Sequence, residues 1–150
     1  MAAKYLIDTS SYITFEQQHL IFKDSHPDSF RLSSVVLQEL TVGADDIHLV
    51  KAYGIARKKL EQANLLLVPS GEDWFEVGKI LYLIQNKDRS RYGRAPKRSK
   101  DEVQRIIRDA LIARTAKRFG CAIITENTKD FEIIKPYCKV KIIKGSEFFS

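Results

Sequence analysis

Four carboxylates in the chain, Asp8, Glu39, Asp109 and Asp130, stand where acids can do chemistry rather than merely face water. Asp8 closes the apolar run Lys4 to Ile7, and Asp130 follows the apolar run Cys121 to Ile124 by one turn. Asp109 falls at 100° per residue on the border of an arc made by Val103, Ile106, Ile107, Ala110 and Leu111, next to the small residues Ala113 and Ala116. Glu39 lies one or two turns into a helix opened by Ser34, among Leu37, Leu40 and Val42. Taken singly, each has an ordinary reading as a helix cap, a surface charge or an ion-pair partner. Taken together, acids at several strand and helix ends create a negative centre that needs a cation. The three histidines, His19, His26 and His48, are scattered and lack H-x-x-x-H spacing, so oxygen donors point to Mg²⁺ or Mn²⁺ rather than zinc. Such an ion lowers the pKa of a bound water and bridges to a phosphate oxygen, which suits phosphodiester hydrolysis.

The charge distribution suggests what those acids would act on. The 150-residue chain carries 25 Lys plus Arg against 19 Asp plus Glu, a formal net charge of +6. From Lys87 to Arg118 there are 12 basic residues and 4 acidic ones, a local net of +8 that leaves the remaining 118 residues at −2. A basic segment beside an acidic pocket holds a polyanion that the acids alone would repel. The part from Lys87 to Lys100 contains Gly93 and Pro96 and few apolar residues, and is expected to be an exposed, mobile loop. Within it Arg89, Arg91, Arg94, Lys97 and Arg98 are candidate phosphate contacts, and Tyr92 offers a stacking face among them.

The elements that would position these residues alternate. Lys4 to Ile7, Arg31 to Ser33, Leu65 to Val68, Cys121 to Ile124 and Val140 to Ile143 are short apolar runs without period-two alternation, as expected of parallel strands buried on both faces. Between them, helical spacing predicts helices over Ser11 to Phe22, from Ser34 through Gly43, over Ala44 to Ala63 with Gly54 a weak point, and over Glu72 to about Asn86. His26 to Phe30 reads as a turn. A further helix opens with a Ser99–Glu102 capping box and stops at Gly120, and a short helical piece follows Thr125. Strands alternating with helices make an α/β domain, and no repeat or composition shift divides residues 1–150. With 44% hydrophobic residues there is enough to fill a core.

The opening YLIDTSSYI, the stretch SSVVLQEL, the segment RDALIARTAKRFG and the strand and turn AIITENTKDF occur in this order over about residues 4 to 134. In that order they resemble PIN-domain ribonucleases, and most closely the VapC-type toxins of prokaryotic toxin-antitoxin modules. The resemblance implies a three-layer α/β/α PIN-like fold with a short central parallel sheet. It implies Asp8 and Asp109 as metal-binding aspartates, Glu39 as the helix glutamate, and an acid or asparagine in the turn after the fourth strand. Asn127 and Asp130 both fit that turn; Asp130 is favoured as the carboxylate, with Thr125 and Asn127 ordering the turn and Glu126 an outside candidate. The activity implied is Mg²⁺- or Mn²⁺-dependent endonucleolytic cleavage of RNA by an activated water. The partners implied are RNA, a cognate antitoxin that blocks the site, and a second copy in a homodimer. Two features depart from the family pattern: Arg114 interrupts the apolar arc and must snorkel or pair locally, and the 87–100 segment is longer and more basic than a minimal toxin needs.

Competing readings are a non-catalytic RNA-binding or assembly subunit that keeps the fold, and a phosphatase- or receiver-like domain; the latter lacks a convincing pair of acceptor Asp and strand-end Lys. Trp74, Phe75, Leu81 and Ile84 come at helical spacing and read as core or a dimer face rather than a base-stacking platform. Asp45 and Asp46 suit a helix start. Cys121 and Cys138 read as small buried hydrophobes of a reducing compartment, and Phe148 and Phe149 either tuck back or serve a partner. No signal peptide or bilayer-spanning window is read, so a soluble, cytoplasmic protein is expected.

Overall fold

Every strand that the sequence pattern marks as buried lies in a single sheet. The computed structural model describes residues 3–16, 30–93 and 98–149. In chain order the elements are β1 (Lys4–Ile7), α1 (Thr9–Glu16), β2 (Phe30–Ser33), α2 (Ser34–Val42), α3 (Ile47–Gln62), β3 (Leu66–Leu67), α4 (Gly71–Tyr92), α5 (Lys100–Arg118), β4 (Cys121–Thr125), α6 (Thr128–Glu132), β5 (Ile142–Lys144) and α7 (Gly145–Phe148). The strand order is β3-β2-β1-β4-β5, and each described pairing is parallel. The chain runs outward from β1 through β2 to β3, then crosses back to lay β4 on the other side of β1. The β1/β4 junction is therefore the topological switch point, in register from Lys4 opposite Cys121 to Ile7 opposite Ile124.

The central strands are the driest part. Leu6, Ile7, Ile123 and Ile124 have no exposed surface, and α5 lays Ala110, Leu111, Ile112, Ala113 and Ala116 against them. Small residues on this face of α5 let the helix approach the sheet closely. Fully burying one such isoleucine is worth about 2 kcal/mol, so these four strand residues anchor the junction. Phe148 and Phe149 tuck back against the first residues of the inner strands β1 and β2: Phe148 meets the Tyr5 ring at 4.7 Å, and Phe149 stacks on Phe30 at 6.3 Å. The C-terminal α7 had no sequence signal.

Several boundaries shift for identifiable reasons. Ser33, not Ser34, caps α2, because its extended backbone lets its Oγ accept the Val35 N–H at 3.1 Å. The third helix begins at Ile47 rather than Ala44, with the Asp46 carboxylate accepting the Leu49 N–H at 2.9 Å. It passes Gly54 without a break. Helix α1 starts at Thr9, two residues early; the rest of its expected span to Phe22, and residues 26–29 of the expected turn, lie outside the described residues, and Phe30 already belongs to β2. The last strand is Ile142–Lys144, displaced from the expected 140–143.

The largest correction concerns residues 87–100. Lys87 to Tyr92 are not a loop but the end of the 22-residue α4, which stops at Gly93 in a left-handed conformation (φ 74°). Lys and Arg are good helix formers, so a charged stretch lacking apolar residues extends an exposed helix as readily as it makes a loop. The full capping box is likewise found at Ser70 and Asp73, whereas Ser99 makes one half of one with the Glu102 N–H. Ion pairs between the start of α4 and the end of α5 show that the two helices form an antiparallel hairpin. Trp74 and Phe75 are exposed on it, so of the two expectations, core or a dimer face, these two are not core; Val77, Ile80 and Ile84 supply the buried face.

Candidate active site

Parallel strands end their backbone ladders on one edge, and the residues just past β1 and β4 converge there. The Asp8 N–H donates to the Ile124 carbonyl at 2.9 Å, continuing the ladder one step, while the Asp8 carbonyl accepts the Tyr12 N–H and opens α1. The aspartate is thus pinned on both sides of its Cα, and only 6% of it is exposed. Its Oδ2 accepts a 2.8 Å hydrogen bond from the Thr125 hydroxyl at the end of β4 and a longer one, 3.4 Å, from Ser10. Thr125 Oγ1 in turn accepts the Asn127 N–H at 3.0 Å, and Ser10 Oγ accepts the Glu126 N–H at 3.2 Å. The Ser10 and Thr125 hydroxyl oxygens themselves lie 3.3 Å apart, so both stand on the same side of the Asp8 carboxylate. From sequence Ser10 reads only as a cap; a hydroxyl two residues past a strand-end aspartate was the available signal.

The other acids arrive from three further elements. Glu39 projects from α2 and is half-buried, with its Oε1 3.8 Å from Nε of Arg108. Asp109 follows Arg108 on α5. Asp130 stands in the first turn of α6, its N–H donating to the Asn127 carbonyl at 3.1 Å. Asn127 is exposed and its side chain makes no cap, so it orders the turn through its backbone. Glu126 is partly buried, with one carboxylate oxygen unpartnered.

Electrostatics tie the four acids together. Burial pushes the Asp8 carboxyl up from its ordinary value; bonds from Thr125, the Thr9 backbone and Ser10 act against this, and the charge of Asp130 adds to it. Glu39 is raised by burial and by Asp8, with Arg108 opposing. Asp109 is raised most, to about 8, by burial and then by the charges of Asp8, Asp130 and Glu39, against a smaller pull from Arg108. Each acid thus exerts its charge on at least one other or feels that of another. Among the described residues, however, no three Asp, Glu, His or Cys side chains close into a ready cage for an ion.

Beyond the acids, the α4–α5 hairpin carries the basic residues. Arg89 and Arg91 are exposed in the last turns of α4, Arg98 is half-buried before α5, and Arg105 is exposed on α5. Arg94, Lys97 and the side chain of Tyr92 lie outside the described residues. The start of α5 stands nine residues before Asp109, about 14 Å along the helix axis.

Several solved structures are similar to this chain. One is VapBC-1 from nontypeable Haemophilus influenzae, at 20% identity and a TM-score of 0.58, with 95% of this chain and 98% of that one covered. The fold is PIN-like. Others are DNA-bound VapBC from Salmonella typhimurium, at 18% identity, TM-score 0.55 and coverage of 96% and 99%, and VapBC2 from Rickettsia felis bound to a promoter fragment, at 18%, 0.52, 93% and 97%. The architecture implied by the sequence motifs is thus matched over nearly the whole of both chains. No protein-family model matches the sequence, and no curated protein matches it. Among the described residues no helix is long and apolar enough to cross a membrane.

Proposed function

We propose that the PIN-like chain is a divalent-metal-dependent endoribonuclease, the toxin of a toxin-antitoxin pair acting in the cytoplasm. The observation that carries the reading is the grouping at the switch point of acids from β1, α2, α5 and α6, where burial and neighbouring carboxylates raise Asp8, Glu39 and Asp109, the last to about 8. Acids held at such a cost to their own ionisation await a positive partner, and Arg108 only partly supplies it. All-oxygen donors fit Mg²⁺ or Mn²⁺, and Mg²⁺ keeps several waters and needs few protein carboxylates, so a closed protein cage is not required. Asp8, Asp109 and Asp130 would hold the ion, with Glu39 completing the acidic centre. When bound, the ion supplies a water of lowered pKa and neutralises charge at the phosphate.

The chain's own groups do the rest. Thr125 and Ser10 fix the Asp8 carboxylate by donating to one of its oxygens, leaving the other for the ion. Glu39, raised by its neighbours, is suited to accept a proton from the attacking water. The basic hairpin would hold the RNA backbone, and a homodimer and a small antitoxin protein are the expected assemblies. Two of the similar structures, VapBC from Salmonella typhimurium and VapBC2 from Rickettsia felis, are of complexes on DNA. The test is cleavage of RNA in Mn²⁺ by the wild type and by Asp8→Asn and Asp109→Asn. Wild-type rates in either variant overturn the reading. The open spacing of the acids favours one alternative, an RNA-binding subunit without turnover; RNA binding with neither cleavage nor metal affinity would establish it.

A further inference from the structure

A cavity of about 830 Å³ opens directly off the acidic centre and shares Glu39 and Arg108 with it. Its walls come from α2 (Gln38, Val42), the start of α4 (Trp74) and α5 (Gln104, Ile107). Such a volume is of the size that receives small organic groups. Trp74 is the chain's single tryptophan and is 57% exposed at this rim although the core is well supplied with aliphatic residues. An indole left half in water beside two amide side chains and a guanidinium is a poor core residue. It is a good surface for a flat, polar-edged ring: indole faces stack on bases, and amides offer both donors and acceptors to base edges. An apolar peptide segment would leave Gln38 and Gln104 unpaired on the same walls, whereas a nucleobase uses both and its phosphate gives Arg108 a second anionic partner beside Glu39.

We infer that this groove is a nucleobase subsite, in which Trp74 stacks the base flanking the phosphate at the acidic centre while Gln38 and Gln104 meet its edge and Arg108 its phosphate. The inference rests on the ribonuclease reading and adds to it that the enzyme grips unpaired RNA by a base, not by backbone charge alone. Single-stranded RNA is implied, because only an unstacked base can enter a groove between helices.

Trp74 reports on its own occupancy. Fluorescence of the full chain is titrated in EDTA, so that no turnover consumes the probe, with adenylate and uridylate hexamers and with an abasic ribose-phosphate hexamer of equal length. Binding is followed in parallel by anisotropy of labelled oligomers. The expected result is quenching by the base-bearing hexamers, with about tenfold tighter binding than the abasic one. Trp74→Ala should erase that difference and Trp74→Phe should restore most of it. Equal affinity for abasic and base-bearing hexamers, or binding without change in Trp74 emission, overturns the subsite while leaving metal-dependent cleavage intact. Absence of both RNA binding and cleavage overturns subsite and ribonuclease together. Emission that follows protein concentration instead, with Trp74→Ala separating copies by size, assigns the groove to self-association and also overturns the subsite. The wild-type titrations stand whether or not the variants fold.

Discussion

Helix α5 serves one buried and one half-buried acid in opposite ways. Near its end, Arg114 and Arg118 reach Asp73, which has no exposed surface, at 3.4 and 3.0 Å; Arg118 also donates to the Val68 carbonyl at 2.8 Å. Burial alone would raise Asp73, but the Ser70 backbone N–H, Arg118 and the Ser70 hydroxyl together bring its pKa below the ordinary value. Five residues before Arg114, the same helix delivers Asp109 among three other acids, and its pKa climbs to about 8. One acid is paired and locks the two helices of the hairpin together. The other is left wanting, and unsatisfied charge marks a site where something else is meant to bind.

The sharpest way to break the contrast is to remove each acid's charge and watch different observables. Asp109→Asn is expected to abolish RNA cleavage, on the order of a thousandfold, since a metal centre supplies several kcal/mol of transition-state stabilisation. The same change should leave the metal-free protein as stable as the wild type or more so at pH 8, because it removes a repelled charge. Asp73→Ala should do the reverse: a loss of about 3 kcal/mol in urea unfolding, because two arginines keep their charge without a carboxylate and α4 loses its capping box. Metal affinity of the folded fraction should hardly change. A variant of Asp73 that unfolds no more easily than wild type would remove the locking role.

Acid and alkali should act on the two carboxylates in opposite directions. A lowered folded pKa means that the contribution of Asp73 is present above the unfolded value of 3.8 and is lost as pH falls through the folded pKa. A raised one means that the folded state holds the Asp109 proton longer than the unfolded chain, so stability declines as pH rises from about 4 to about 8. Thermal unfolding in EDTA should therefore show Tm rising out of strong acid and then falling towards pH 8. Mg²⁺ should cancel the alkaline fall, and Asp109→Asn should flatten it. An alkaline limb unaffected by either would separate the raised acid from metal binding.

The contrast is only half legible in the sequence. Asp8 and Asp109 can be picked out because strand ends and small-residue borders are local patterns. For Asp73 only the capping pattern with Ser70 is local; its arginine partners lie on another helix, and sequence spacing says nothing about pairing at that range. Arg114 is expected to snorkel or pair locally, and its partner is instead 41 positions back in the chain. The 87–100 segment reads as a loop because charge density resembles one when helix propensity and packing against α5 are not weighed together. The order of strands and their burial are readable because parallel strands covered on both faces are apolar throughout.

A smaller effect tests the brace on Asp8. Thr125→Val keeps the shape at the end of β4 but removes the 2.8 Å donor to Oδ2 and the acceptor for the Asn127 N–H. The expected cost is about 1 kcal/mol in stability and roughly tenfold in metal affinity, with Thr125→Ser recovering most of both. Unchanged affinity in the valine variant would mean that backbone ladders alone hold Asp8.

The mildest prediction concerns the far end of the hairpin, where Arg89 and Arg91 are exposed in the last turns of α4. If they hold RNA by its phosphates, the replacement of Arg89 and Arg91 by alanine should weaken binding for all sequences alike. The slope of log affinity against log salt should fall by about 0.7 for each phosphate no longer neutralised, about 1.4 for both. Metal affinity and the alkaline stability limb should stay as they are, because neither arginine contributes to the shift of Asp8, Glu39 or Asp109. A double variant with an unaltered salt slope would confine RNA binding to the neighbourhood of Arg108. The antiparallel packing that Asp73 secures would then serve only to place Asp109, and the excess of positive charge along the hairpin would need a partner other than RNA.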